Sequence, residues 1–338
     1  MLENKYYHTI FHVWLSCLIF LVGLIIIVGG LTRLTDSGLS ITEWELFKGI
    51  FIPTSQEKWI LYFESYKQIP QYMLLNYDMT LKEFKFIFLW EYVHRLIARF
   101  IGVFFLIPFL FFIFVNFLKR QMVIRLILVF ILILTQGAIG WYMVKSGLTI
   151  NTTVSHYRLS IHLFIAFSIF SSLIWILLNS INRSEKKLFE FNSNHIILKL
   201  LLFLLFIQII FGAFVSGLDA GRLYQTWPLM DGSYFPSDIQ VNDFLNFNEP
   251  SYVQFIHRNT AYLIFFVSIY LGFTVYNKKN LRLFSNFLLY FLFILAQIIL
   301  GILVLTSGMN IYLASMHQIS SIFLVVTVIN LYYRSIRS

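Results

Sequence analysis

Eight long apolar runs constrain this chain more than any other feature of its sequence. Each run is long enough to cross the hydrocarbon core of a bilayer, which is about 30 Å thick. The apolar positions are continuous rather than alternating, so the runs predict helices and not the strands of a membrane barrel. A hydrophobic content of 59% agrees with an all-α polytopic membrane protein. The runs cover roughly residues 10–31, 86–116, 122–144, 157–179, 197–217, 252–276, 283–305 and 311–333.

The placement of lysine and arginine predicts the orientation of these helices. With an even number of spans, both termini lie on the same side as the loops near 117–125, 180–199 and 277–282. This side carries thirteen basic residues against three acids, and such a bias marks the cytoplasmic face. The same bias explains the net charge of +9, so no nucleic-acid partner is needed to account for it.

The N-terminus and the single cysteine narrow the class of protein further. The first apolar run lacks a small-residue cleavage site, so we expect a retained helix. No Arg-rich presequence precedes this run, which favours a bacterial plasma (inner) membrane over an imported mitochondrial protein. Cys17 is the only cysteine, so a disulfide or a thiolate metal site within the chain is excluded.

Two distant segments repeat the same pattern of residues. Residues 29–53 and 212–236 align at one constant offset of 183 residues, with glycine, tryptophan and proline at matching positions. Each copy is followed by a histidine on an apolar run, His94 in the first and His257 in the second, and an arginine comes directly after each histidine. An ordered series of matches over most of the chain indicates a duplicated domain.

The duplication predicts two tandem four-helix bundles, residues 1–182 and 183–338. Because each repeat has an even number of helices, the copies keep the same orientation and are expected to be related by a pseudo-twofold axis along the membrane normal. Two long aromatic-rich loops, about 32–85 and 218–251, follow the first and fifth helices on the extracytoplasmic side. We expect these loops to fold back over the outer ends of the bundles.

Five histidines lie in the apolar runs or close to their outer ends: His94, His156, His162, His257 and His317. Lipid offers no water to a stray imidazole, so intramembrane histidines are costly and point to function. One histidine from each of two facing helices, at a matched depth of about 10 Å, can hold a heme iron from both sides. The alternative for each is a hydrogen-bonded packing residue. A gapless alignment matches His156 with His317, and His162, one and a half turns deeper, is the other candidate.

Charged residues beside the histidines differ between the two repeats. Arg95 and Arg258 are too costly to leave unpaired in lipid, and heme propionates are their natural counter-charge, with a loop acid as the alternative. Glu91 lies one helical turn before His94, whereas the residue at the same position before His257 is Gln254. An acid in one pocket favours proton-coupled chemistry there and a resident electron-transfer heme in the other; the alternative is a structural Glu–Arg bridge. Further arginine candidates in the first bundle are Arg33, Arg99 and Arg158.

The motifs GGLTRLTDSGLSITEW, EFKFIFLWEYVHR, VSHYRLSIHL, GLDAGRLYQTWPLMDG and QFIHR resemble the heme A synthase family in its alphaproteobacterial and mitochondrial form. The resemblance runs over nearly the whole chain. It implies an inner-membrane oxidoreductase that converts heme O to heme A by successive hydroxylation and oxidation of the porphyrin C8 methyl to a formyl group, for cytochrome oxidase. It also implies heme b in the C-terminal bundle, the substrate in the N-terminal bundle, a nearby heme O synthase (protoheme farnesyltransferase) and homo-oligomers.

The resemblance also assigns roles to individual residues. His257 and His317 match the axial ligands of the heme b iron, with Arg258 beside that cofactor. On the substrate side, His94 and one histidine of the fourth helix match ligands of the heme O iron. For the fourth helix, the family pattern prefers His162 over His156. The catalytic candidates are Glu91, His94 and His162.

Two other functions are consistent with paired intramembrane histidines. One is a diheme membrane cytochrome that exchanges electrons with quinone. The other is a heme carrier, which would lack stable bis-histidine ligation in its second bundle. The acid present beside only one of the two histidine pairs favours the enzyme, because a pure electron carrier needs no such asymmetry.

Overall fold

The part of the chain that the structure describes is helical. The computed structural model describes residues 2–44, 48–148, 152–188, 195–240, 244–277 and 279–336. The α-helices of this part are α1 (Leu2–Leu34), α2 (Gln56–Tyr66), α3 (Pro70–Leu75), α4 (Leu81–Phe114), α5 (Arg120–Gly147), α6 (His156–Ile181), α7 (Ile196–Gly217), α8 (Pro250–Asn277), α9 (Leu281–Thr306) and α10 (Ile311–Ser335). All of these except α2 and α3 are long and apolar enough to cross a membrane, which confirms the predicted all-α multi-pass class.

The membrane-spanning helices extend beyond the apolar runs, and a polar cap sets the start of α4. Helix α4 begins at Leu81, several residues before its apolar run. The Thr80 side chain accepts a hydrogen bond from the backbone N–H of Glu83, and the Glu83 carboxylate accepts one from the backbone N–H of Thr80 at 2.8 Å. This reciprocal capping box satisfies two N–H groups that the first helical turn leaves open.

Helix α4 continues through a proline in its apolar half. Pro108 has no N–H, so the carbonyl of Phe104, four residues earlier, loses its normal partner in the helix. The indole N–H of Trp14 on α1 donates to this carbonyl at 2.9 Å. A carbonyl left open in an apolar membrane would be costly, so the α1–α4 contact stabilises the proline-containing helix.

The outer segment between α1 and α4 packs against the start of α4. Trp59, Phe63 and Tyr66 of α2 form one buried cluster with Phe84 and Phe88 of α4. The hydroxyl of Tyr66 lies inside this cluster, and burial raises its pKa to about 12. The aromatic residues of the predicted long loop therefore hold α2 on the end of a membrane-spanning helix.

The chain divides into two compact units, Met1–Leu173 and Ile174–Ser338, and the boundary falls within α6. The final turns of α6 belong to the second unit because polar contacts tie them to α10. Ser184 shares a hydrogen bond of 2.6 Å with the hydroxyl of Tyr333, and the Ser184 hydroxyl also donates to Asn179. Trp175 and Asn179 both donate to the backbone carbonyl of Lys186.

Each unit has its own pattern of helix packing. In the first unit, α4 packs against α1, α2 and α5. In the second, α7 packs on α8, α8 on α9, α9 on α10 and α10 on α7, which closes a ring of four helices. The tandem bundles bounded at residue 182 stay a prediction.

Candidate heme-binding sites

His94 on α4 and His162 on α6 face each other in the first unit. Their ring centroids are 6.5 Å apart and the rings are inclined at 58°. Two bonds of about 2 Å from imidazole nitrogens to one metal ion would separate those nitrogens by roughly 4 Å. The distance from each nitrogen to the centroid of its own ring accounts for the remainder of the 6.5 Å, so the spacing fits an iron held between the imidazoles.

His156 lies at the first residue of α6, away from this pair. Its ring centroid is 4.1 Å from that of Tyr157, and its side chain is buried. His162 lies six residues further along the helix, about 9 Å by the helical rise. The structure therefore brings His162, and not His156, to His94, as the family pattern implies and the gapless alignment does not.

A glycine of the neighbouring helix contacts each of the four histidines. These glycines repeat along the chain, and each lies where a side chain would meet the edge of an imidazole. A β-carbon built on Gly29, Gly140, Gly212 and Gly301 would lie 2.9, 3.1, 3.3 and 3.1 Å from Cε1 of His94, His162, His257 and His317, respectively. By contrast, a β-carbon built on Gly102 or Gly137 would meet no other described residue within 4 Å. Each imidazole thus fits against backbone at a position that glycine keeps open.

The imidazoles also share an unused polar atom. Nδ1 of His94, His162, His257 and His317 is buried and has no hydrogen-bond partner among the described residues. Buried polar atoms are normally paired, so a set of exceptions in repeated positions points to function. An iron bound at Nε2 would leave Nδ1 as it is, so it is the ring spacing of His94 and His162 that fits an iron.

In the second unit, His257 lies on α8 and His317 on α10, and each ring lies beside a glycine of the neighbouring helix. Gln208 on α7 contacts the first of them twice. Its amide nitrogen donates to the backbone carbonyl of His257 at 3.1 Å and lies 3.4 Å from Nε2 of the ring. An iron at Nε2 would replace the second, weaker contact.

Glu91 lies at the centre of a buried network one turn before His94. Its carboxylate accepts hydrogen bonds from the Ser40 hydroxyl at 2.7 Å and from the backbone N–H of Ile41 at 2.8 Å. Its other oxygen forms a 2.5 Å salt bridge with Arg95. The structural Glu–Arg bridge, which the sequence left as an alternative, is therefore present. The same carboxylate also binds the outer loop through Ser40 and Ile41.

The second unit repeats these contacts without the carboxylate. Arg95 donates to the carbonyls of Ile41 and Glu43. Arg258 donates to the carbonyls of Tyr224 and Thr226, which match Ile41 and Glu43 at the repeat offset of 183 residues. Gln254 takes the place of Glu91, and its amide donates to the carbonyl of Tyr224 at 2.9 Å.

The sequence predicts heme propionates as the partners of Arg95 and Arg258. In the structure, Arg95 pairs with Glu91, and both arginines donate to loop carbonyls. Nε of Arg258 is buried and has no hydrogen-bond partner among the described residues. Arg258 therefore keeps one donor for a propionate, whereas Arg95 is already neutralised by an acid.

The remaining arginine candidates lie elsewhere in the first unit. Arg33 pairs with Asp36 at 2.7 Å, near the end of α1. Arg158 donates to the Ser146 hydroxyl at 2.5 Å and lies over the ring of Tyr142. Arg99 lies one turn beyond Arg95 on α4.

A cavity of about 260 Å³ adjoins the Glu91 network. Ile41 and Arg95 line one side, and Trp141 and Lys145 of α5 line another. These α5 residues were not predicted from the sequence. The sequence feature that could have identified them is Lys145, a single lysine near the end of an apolar run. The matching position of the second repeat is Thr306.

Comparisons with known proteins agree with these features. A family model described as cytochrome oxidase assembly protein matches residues 12–329. A heme A synthase of Pelagibacter ubique is 47% identical over 327 residues, covering 95% of both chains. A heme A synthase of Rickettsia bellii is 42% identical over 93% of this chain and 95% of its own, and one of Bradyrhizobium diazoefficiens is 43% identical over 90% and 86%. The chain therefore belongs to the heme A synthase family of cytochrome oxidase assembly proteins.

Proposed function

We propose that the chain converts heme O to heme A by hydroxylating and oxidising the porphyrin C8 methyl to a formyl group. The observation that carries this proposal is the buried carboxylate of Glu91 beside one histidine pair, where the matching position beside the other pair is Gln254. The relatives named heme A synthase support the same function.

The two histidine pairs would then serve different hemes. His94 and His162, within residues 1–182, would bind the iron of heme O, the substrate. His257 and His317, within residues 183–338, would hold heme b, with the open Nε–H of Arg258 available to a propionate. When bound, heme b supplies one-electron redox chemistry.

Glu91 would act as a fixed negative charge beside the substrate. Three donors orient its carboxylate, and those from Ser40 and Ile41 come from the buried part of the outer loop. Such a preorganised charge stabilises positive charge that develops at the methyl carbon during oxidation. Glu91, Ser40 and Ile41 are buried, and a charge interaction is stronger away from water.

The test is heme analysis of cells that supply heme O. Extracted hemes are separated by chromatography for the wild type, Glu91→Gln and the control Glu64→Gln, an outer-loop acid that pairs with Lys67. Gln254 indicates that an amide fits at the Glu91 position. We expect heme A from the wild type and the control, and heme O with retained heme b from Glu91→Gln. Heme A from Glu91→Gln at the wild-type level contradicts the role of the acid.

The diheme quinone cytochrome is not favoured, because the matched relatives are named heme A synthases. In the same experiment, a wild-type protein that binds heme but forms no heme A would restore that alternative and overturn the proposed function.

We further infer two tandem four-helix bundles in the bacterial inner membrane, with both termini in the cytoplasm. A heme O synthase that delivers substrate and association into homo-oligomers follow from the family resemblance. Reporter fusions at both termini test the orientation, and co-purification from detergent tests the partners. A reporter that is active only outside the cytoplasm would contradict the orientation.

A further inference from the structure

Three membrane-spanning helices carry a glutamine four residues before the glycine that contacts a histidine. These pairs are Gln136 and Gly140 on α5, Gln208 and Gly212 on α7, and Gln297 and Gly301 on α9. Residues four apart share one face of a helix. Each glutamine therefore lies one turn from a histidine contact, on the face turned toward the histidine-bearing helix.

In the second unit, both glutamines bond to the histidine-bearing helices. Gln208 donates to the backbone carbonyl of His257, although its Oε1 has no hydrogen-bond partner in the described part of the chain. Oε1 of Gln297 accepts a hydrogen bond from the hydroxyl of Ser320, which lies three residues after His317. These amides connect neighbouring helices.

The first unit lacks the corresponding hydroxyl. The residue three positions after His162 is Ile165, which has no donor. Oε1 of Gln136 is buried and has no hydrogen-bond partner among the described residues. A buried amide oxygen without a donor is costly, and more so where lipid replaces water. It therefore points to a ligand that brings the donor.

The position of Gln136 indicates which part of a ligand it meets. Arg95 and Lys145 line the cavity at the far end of α5, together with Val144. Gln136 lies about 12 Å from Val144 along the helix axis, by the helical rise. Arg95 is already paired with Glu91, so carboxylates of a porphyrin would be drawn to Lys145. The opposite, apolar edge of the porphyrin would then lie near Gln136.

Heme O carries an alcohol beside its farnesyl chain, whereas protoheme (heme b) has a vinyl group at that position. We propose that Oε1 of Gln136 accepts a hydrogen bond from this alcohol, so that the first unit selects a hydroxylated porphyrin over protoheme. This inference rests on the proposed function and deepens it, because it names the group by which the substrate is recognised. A site built to hydrogen-bond a hydroxyl discriminates strongly against an analogue that lacks it.

The test measures binding without turnover. The purified full-length protein, with heme b in its second unit, is titrated with heme O or with protoheme and followed by absorbance. We expect heme O to bind the wild type at least about tenfold more tightly than protoheme. Gln136→Leu should remove this preference by weakening heme O alone. An equal loss for both porphyrins, or an unchanged preference, overturns the proposal.

Two further variants make the test specific. Ile165→Ser copies the second unit and gives Gln136 an internal donor, so it should also lower the preference for heme O. Thr135→Val removes a neighbouring hydroxyl that bonds within its own helix at 2.9 Å. It should leave both affinities at the wild-type level, and a loss of preference in this control overturns the assignment to Gln136.

Heme A formation by the wild type is measured in parallel, so that the two ideas can fail separately. If the wild type forms heme A and Gln136→Leu keeps the wild-type preference, only the role of Gln136 is wrong. If the wild type forms no heme A, the proposed function itself is wrong.

Discussion

Gly29 and His94 are in contact between α1 and α4. A β-carbon on the glycine would lie 2.9 Å from Cε1 of the imidazole, closer than real β-carbons approach. Gly301 and His317 repeat this relationship in the second unit at 3.1 Å. A glycine on the adjacent helix therefore limits where each ring can lie.

Replacing Gly301 with alanine should displace the ring of His317. Overpacking of this kind costs about 1–3 kcal/mol, so the affinity for heme b should fall about tenfold. The measurement is heme b per polypeptide together with the low-spin absorption bands. The matched control is Gly137→Ala, because a β-carbon there would meet nothing within 4 Å in the part of the structure that is described. Equal heme content in the two variants would show that the glycine does not set the ring position.

Of the two histidines on α6, only His162 should be needed for activity. His162→Ala removes the imidazole that faces His94 at 6.5 Å, so heme A formation should be lost. His156→Phe keeps an aromatic ring beside Tyr157 and should retain heme A formation. Chromatography of extracted hemes from both variants is the measurement. The reverse result would return the ligand role to His156.

The hydrogen bond from Trp14 to Phe104 should matter only while Pro108 is present. Trp14→Phe leaves the Phe104 carbonyl open and should lower the free energy of unfolding by about 1–3 kcal/mol. Pro108→Ala restores a backbone N–H for this carbonyl, so Trp14→Phe should cost less in that background. Unfolding in mixed detergent micelles, for both single variants and the double variant, measures the coupling. Strictly additive losses would contradict this explanation of the contact.

High pH should release the outer segment from α4. Burial raises the pKa of Tyr66 from its ordinary value near 10 to about 12. The folded state thus favours the neutral phenol, and its stabilisation is fully present below pH 10 and is lost as the pH rises toward 12. Protease cleavage of residues 48–80 should increase over this window. The exposed Tyr77 provides the control variant Tyr77→Phe, which should keep the pH response, whereas Tyr66→Phe should weaken it.

Arg258 should hold the second outer loop whether or not heme is bound. Lysine cannot reproduce the two-pronged contact with the carbonyls of Tyr224 and Thr226. Losing one such bond costs about 1.5 kcal/mol, so Arg258→Lys should speed proteolysis of residues 218–240 about tenfold. Arg222→Lys, at an exposed position of the same loop, is the control. Protection that depends entirely on heme would favour propionate binding as the main role.

The membrane-spanning helices could be predicted because long apolar runs leave few other structures in a bilayer. Their ends could not, since they depend on caps such as Thr80 with Glu83. Helix α2 was also missed. Its sequence mixes charged and aromatic residues, and its stability comes from packing on Phe84 and Phe88, which lie far along the chain.

The candidate site was predictable where the two repeats could be compared. That comparison identified the histidines and the exchange of Glu91 for Gln254. It could not reveal that Arg95 and Arg258 reach loop carbonyls, because these contacts join residues about fifty and thirty positions apart. It also left the choice between His156 and His162 open, because an insertion before α6 changes the alignment but leaves the spacing of apolar residues intact.

The boundary within α6 has a consequence for where the sequences of two relatives can be joined. The last turns of this helix, through Trp175 and Asn179, are bonded to the segment that precedes α7 and lie in the second unit. Chimeras between relatives should therefore fold best when the crossover precedes Ile174, because these bonds then stay within one parent sequence.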